Sequence, residues 1–237
     1  MLIKKILIIL IFLFSVLQSR SQILISLLLG DKLNSNKIEF GVDGGLNYST
    51  ISGLGAGSSA PFFNLGFYFN IKTNNPKWLF YTGLIVKSTV GAQDIPVYFT
   101  EDANVDSAFT NGNILRKINY FHVPIMMKYK LNNRFYVEGG IAPALQYNAT
   151  DFFSKTLVDQ DDLSYKRNIK DQYHRLDIGL IGGFGYRLMG GKGMNLGIRY
   201  YHGLIDVLIS DVSADQFIRS LYFNVGIPIG AAKANTK

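Results

Sequence analysis

Along most of its length the chain alternates apolar positions with polar or small ones at a period of two, which marks β-strands with two unlike faces. In Ile38–Tyr48, Ile38, Phe40, Val42, Leu46 and Tyr48 fall on one face and Glu39, Gly41, Asp43, Gly45 and Asn47 on the other. Phe63, Leu65, Phe67, Phe69 and Ile71 oppose Asn64, Gly66, Tyr68 and Asn70. Trp78–Lys87 reads as a third strand with less regular parity. The same alternation runs through Tyr120–Leu131, Phe135–Tyr147, Arg175–Arg187, Asn195–Tyr201 and Ser220–Ile229. The pattern therefore predicts eight strands, an even number.

The connections alternate too. Lys72–Lys77, Asn132–Arg134 and Met189–Gly193 are short and rich in Asn and Gly. Ser49–Ala60, Ala92–Lys117, Asp151–Gln172 and Ile205–Ile218 are longer and polar. Short turns on one side and long loops on the other is the layout of an outer-membrane barrel. Aromatic residues gather near strand ends, as Trp78 with Tyr81, Tyr147 with Phe152 and Tyr200 with Tyr201, where they would form interface girdles. The expected fold is all-β: an eight-stranded antiparallel up-and-down transmembrane β-barrel. The alternative is a soluble barrel with its apolar face inward. The non-apolar face argues against it, because residues such as Gly41, Gly66, Gly140, Ala142, Gly179 and Gly183 suit a crowded lumen better than a solvated exterior.

The N-terminus changes the charge picture. Lys4 and Lys5 precede the apolar run Ile6–Phe14, and Ser15, Ser19 and Ser21 follow, the order of a secretory signal peptide. The run is short for a membrane anchor, which needs about 20 residues. The expected organisation is a signal peptide over 1–21, a periplasmic segment over 22–36, a barrel over 37–229 and a tail over 230–237. The 237 residues carry a formal charge of +7. Loss of Lys4, Lys5 and Arg20 leaves 21 basic residues against 17 acidic ones, or +4, and removes most support for a nucleic-acid partner. The short turns hold Lys72, Lys77, Arg134 and Lys192, while acids such as Asp94, Asp106, Asp151 and Asp206 fall in the long loops. Both termini and the basic turns are expected in the periplasm, with the acidic loops outside. The absence of cysteine excludes disulfides, thiolate metal sites and a diacyl lipid anchor.

The stretch His122–Leu131 (HVPIMMKYKL) and the following Arg134–Gly140 (RFYVEGG) resemble the central hairpin of the PorT-like outer-membrane β-barrels of Bacteroidota. Leu196–Leu204 (LGIRYYHGL) is similar to that family's seventh strand. The resemblance spans roughly Lys37 to Ile229. It implies a barrel in the outer membrane and, through the family's namesake, a link to type IX protein secretion. The end of the chain, GAAKANTK after Ile229, departs from the terminal aromatic common in outer-membrane barrels.

Eight strands enclose an interior that side chains can fill. Glu39, Asp43, Glu138 and Asp177 share the inward face with Lys128, Arg175, Arg187 and Arg199, and in so narrow a lumen these charges must pair. They form the proposed lumen polar network. A gated channel or proton path is the competing use. His174 and His202 are expected near the outer rim, with Asp206 and Ser164 as neighbours for a rim hydrolase, but their spacing matches no catalytic motif. Gly190-Gly191-Lys192-Gly193 lacks the context of a phosphate loop, and Asp159–Asp162 lacks the Gly and Glu of a calcium loop. The sequence thus predicts no catalytic residue, no metal and no cofactor. The expected partners are outer-membrane lipid and lipopolysaccharide, with envelope or secretion proteins at the loops or turns.

Overall fold

A computed structural model describes residues 33–100, 102–156, 163–210 and 214–229. The expected signal peptide, most of the 22–36 segment, the tail over 230–237 and the Asp159–Asp162 run lie outside the described residues.

Ten strands follow one another: β1 (Ile38–Ser52), β2 (Ala60–Lys72), β3 (Trp78–Pro96), β4 (Asn113–His122), β5 (Ile125–Lys130), β6 (Phe135–Lys155), β7 (Leu163–Asn168), β8 (Leu176–Arg187), β9 (Asn195–Gly203) and β10 (Phe217–Pro228). Every pairing is antiparallel. The ladder runs β3–β2–β1–β10–β9–β8–β6, and β4 and β5 bridge β6 back to β3, so the sheet closes on itself. A short helix, α1 (Ala103–Ala108), sits in the loop between β3 and β4, its first turn capped by the Asp102 carboxylate.

The strand count is corrected from eight to ten, and both additions have physical causes. The stretch Tyr120–Leu131 is divided at Val123-Pro124 into β4 and β5. Pro124 has no N–H to place in the ladder, yet both halves pair with β3 on one side and β6 on the other. The other added strand, β7, forms a hairpin with the far end of β6, in a segment the pattern assigns to a loop.

The alternation sorts the faces as the pattern predicts. Leu46, Phe63, Leu180 and Phe184 are 56, 43, 51 and 58% exposed on the outside, while Asp43, Asn47, Asn64 and Arg199 are buried inside. A belt of bare apolar side chains around a polar interior is the reverse of a soluble barrel and fits a hydrocarbon surround. No helix among the described residues is long and apolar enough to cross a membrane.

Several strands run further than their hydrophobic pattern, β1, β3, β4 and β6 the furthest. β6 has 21 residues, where about 9–11 suffice to cross a bilayer. Its inward residues are even-numbered up to Gln146 and odd-numbered from Ala149, because a bulge opposite Asn119/Tyr120 inserts one residue and turns the strand over. Beyond the bulge Ala149, Asp151 and Phe153 point inward, and Ala149 and Phe153 join Ile114, Ile118 and Ile218 in an apolar core that closes the loop end of the barrel. In the other half the small inward residues accept aromatic rings. Tyr68 lies over Gly41, Tyr136 over Gly185 and Tyr201 over Gly179, each so close that a Cβ on the glycine would be only 2.3–2.4 Å from the ring or its hydroxyl.

Candidate functional site

The charged cluster lies in the turn-side half of the lumen and is assembled from five strands. β1 supplies Asp43, β3 Tyr81, β5 Lys128, β6 Glu138 and β9 Arg199, all with inward parity. Arg199 sits at its centre. Its Nε donates to Glu138 Oε1 at 2.6 Å and its Nη1 to Asp43 Oδ2 at 2.7 Å. Lys128 Nζ lies 3.2 Å from the second oxygen of Glu138. Asp43 also accepts from the Tyr81 hydroxyl and, at 2.9 Å, from Asn224 Nδ2. Lys128 stands 4.1 Å from the centre of the Tyr81 ring and Arg199 4.7 Å from it, so the two cations flank one aromatic side chain. Two carboxylates and two cations balance, which is the condition for burying four charges at all. The void bordered by this cluster measures about 10 Å³, at the lower limit of the space one water needs.

A second pair sits nearer the turns, where Arg187 Nη2 donates to Glu39 Oε2, and Asn70 Nδ2 donates to Glu39 Oε1 at 2.9 Å. Six of the eight residues expected in the lumen network are therefore held in ion pairs: Glu39, Asp43, Lys128, Glu138, Arg187 and Arg199. The other two are placed differently. Arg175 stands one residue before β8 with the same parity as Asp177, and it is exposed because that end of the strand is open to solvent. Asp177 is buried but accepts from the Tyr201 hydroxyl at 2.8 Å instead of pairing with a base.

The pattern misses one buried pair altogether. Arg116 of β4 reaches both oxygens of Asp151 with its Nε and Nη2, at 2.8 and 2.6 Å, and its Nη1 donates to the Tyr173 hydroxyl at 2.7 Å. Tyr98 donates to the same carboxylate at 3.0 Å, and Tyr173 passes the chain on to Gln216 at 2.9 Å. Asp151 reads as a loop acid in the sequence, whereas it is fully buried in β6. Burial, aided by the negative Asp151 beside it, pushes the Tyr98 hydroxyl up to about 12. Burial also pushes Tyr173 up to about 12, with the Arg116 cation pulling the other way.

The rim residues are not gathered into a site. His174 and His202 are exposed, Asp206 accepts from the backbone N–H groups of Leu208 and Gln216, and Ser164 is exposed on β7. No hydrogen bond among the described residues joins these four side chains. His122 is buried in the lumen, stacked 5.4 Å from Tyr201. No three His, Asp or Glu side chains among the described residues stand close enough together to hold a metal ion. The arrangement supplies paired charge and packing.

Solved structures with a related fold include Ail, the attachment invasion locus protein of Yersinia pestis, at 12% identity and a TM-score of 0.45, covering 81% of this chain and 99% of that one. Neisserial surface protein A matches at 12% identity and a TM-score of 0.41, covering 79% and 96% respectively. The toluene transporter TodX of Pseudomonas putida matches at 7% identity and a TM-score of 0.23, covering 83% and 90%. At these levels no argument about this chain rests on them, and no curated protein matches the chain. The sequence model of a family described as outer membrane protein beta-barrel domain matches residues 18–208, from before β1 to just short of β10. With a closed antiparallel sheet, an apolar exterior and a polar lumen behind that match, the chain belongs to the outer membrane protein beta-barrel domain family and is an outer-membrane protein.

Proposed function

We propose that this barrel is a closed structural and interaction protein of the outer membrane and conducts nothing through its interior. The observation that carries the reading is the filled lumen: the Asp43–Arg199–Glu138–Lys128 cluster on one side and the Ile114–Phe153 core on the other. In this reading eight staves cross the bilayer, β4 and β5 acting as one and β7 standing above it. Residues 1–21 direct export, both barrel termini and the short turns face the periplasm, and lipid with lipopolysaccharide surrounds the belt. Catalysis, a cofactor and a metal have no part in it. The resemblance of His122–Gly140 and Leu196–Leu204 to PorT-like barrels of Bacteroidota favours a second reading, an accessory role in type IX-like secretion. Conductance across a planar bilayer tests the first. Purified barrel should give no stepwise current, and steady ohmic steps from folded protein would sink the closed-lumen reading. Crosslinking in intact cells followed by recovery of secretion machinery at the loops or turns would support the second.

A further inference from the structure

At the turn end the lumen opens into a cavity of about 300 Å³ between the β5–β6 and β8–β9 turns. The two turns are locked together: Arg187 N donates to Arg134 O at 2.7 Å, and Gly191 packs so tightly that a Cβ there would lie 2.1 Å from the Asn133 carbonyl. Five of the residues lining the cavity are cationic, namely Lys128, Lys130, Arg134, Arg187 and Lys192, and none is acidic. Two of the five are already neutralised, Lys128 by Glu138 and Arg187 by Glu39. Among the described residues no carboxylate lies within 4.0 Å of Lys130, Arg134 or Lys192. Three uncompensated cations around one concavity repel each other, and an anion between them reverses the sign of that interaction. Among the described residues the buried cations Arg116, Lys128 and Arg199 each have a carboxylate, whereas at the mouth half-buried Lys130 and exposed Arg134 and Lys192 have none within 4.0 Å.

We infer that this mouth binds a phosphate group. A phosphate carries up to two negative charges, which three surplus cations more than offset, and its several oxygens can take the Arg134 fork together with the two ammonium groups. The cavity is at the small end of the range for ligand sites, which suits a phosphate and its immediate ester but not a large soluble molecule. The rim favours a lipid as the bearer. Leu131, Phe135 and Met189, beside the cationic residues, are 59, 50 and 83% exposed, so an acyl chain could lie against the belt while its headgroup enters the mouth. The same chemistry admits free phosphate. This inference stands apart from the closed-lumen reading, since a conducting barrel could still hold a phosphate at its mouth.

The test uses the folded full-length barrel with two probes: inorganic phosphate titrated by ³¹P line broadening in neutral detergent, and flotation with phosphatidylcholine vesicles with and without phosphatidic acid. Wild type should bind at least one probe. Replacing Lys130, Arg134 and Lys192 together by Gln should weaken that binding at least about tenfold, given the strength of charge-assisted hydrogen bonds. The R134Q/K192Q pair changes two exposed side chains and serves if the triple variant does not fold. A K117Q/K166Q control at the loop end should bind like wild type. Response to phosphatidic acid alone identifies a lipid headgroup, and response to inorganic phosphate identifies the free ion as well. No binding of either probe, or equal binding by wild type and the Gln variants, would overturn the inference.

Discussion

Arg199→Met is the sharpest probe of how the barrel is held together. Methionine keeps the length of the buried stem and removes only the guanidinium. In the wild type Arg199 bonds Glu138 at 2.6 Å and Asp43 at 2.7 Å in a cluster of two acids and two bases. Without it Asp43 keeps only the neutral donors Tyr81 and Asn224, Glu138 keeps Lys128, and the cluster carries a net negative charge. One unit pair about 4 Å apart is worth about 4 kcal/mol at an effective dielectric of about 20. Arg199 loses two such attractions, and relaxation returns part, so the expected destabilisation is about 3–5 kcal/mol. The assay is reversible urea unfolding of the barrel in lipid vesicles, with the heat-dependent shift in gel mobility as an independent readout of folding. Adding Glu138→Gln to Arg199→Met leaves one acid and one base, so the double variant should recover part of the loss, with a coupling of about 1–3 kcal/mol. A loss below about 1 kcal/mol, or strict additivity of the two substitutions, would show that water reaches the cluster and that the filled-lumen argument is wrong.

Three further outcomes follow from the same structure. Gly183→Ala should cost about 1–3 kcal/mol, because its Cβ would lie 2.2 Å from the Ile198 carbonyl oxygen, whereas Gly139→Ala, with nothing nearer than 3.8 Å, should be tolerated; equal unfolding midpoints would contradict this. Asp151→Asn should leave Arg116 buried with a weakened partner and make the loop end sensitive to limited proteolysis while the heat-dependent gel shift persists; an unchanged digestion pattern would count against a role for that pair. Tyr98 is held neutral up to about 12 in the folded protein, so its contribution is complete below the ordinary tyrosine value near 10 and is lost as pH rises from there through about 12. Unfolding titrations over that window should show a shallower fall for Tyr98→Phe than for wild type, and parallel curves would refute the assignment.

The parts of this fold that can be read from the chain are those where period and lipid agree. Phe63 to Ile71 needs only its alternation to place Tyr68 and Asn70 inside, and the same alternation turns Glu39 and Arg187 toward the lumen. The misplaced residues of β6 have one cause. A bulge inserts one residue, and from that point period two points to the wrong face. Asp151 and Ala149 lie beyond the β6 bulge, so the pattern reads Asp151 as a loop acid and hides its pairing with Arg116. Parity could not separate Arg175 from the network either, since the strand end where it stands is already open to solvent. Which charges meet is a question of distance across the barrel, and distance across the barrel is set by ring closure, which no local pattern encodes. The basic mouth was half legible: the lysines and Arg134 in the turns are plain in the sequence, but their convergence depends on two turns touching.

That closure joins β1 to β10, partners from opposite ends of the barrel, through a register running from Gly41–Pro228 to Ser52–Phe217. No amount of correctly folded intermediate sheet can complete the wall until the last strand arrives. Until then the edges of β1 and β9 present unpaired backbone groups that hydrocarbon cannot satisfy. A nascent chain stopped before Phe217 would therefore be a sticky, open sheet that any passing strand could cap. Closing the wall therefore costs the loop-closure entropy of nearly the whole barrel sequence, since the two edges that must meet stand at its two ends.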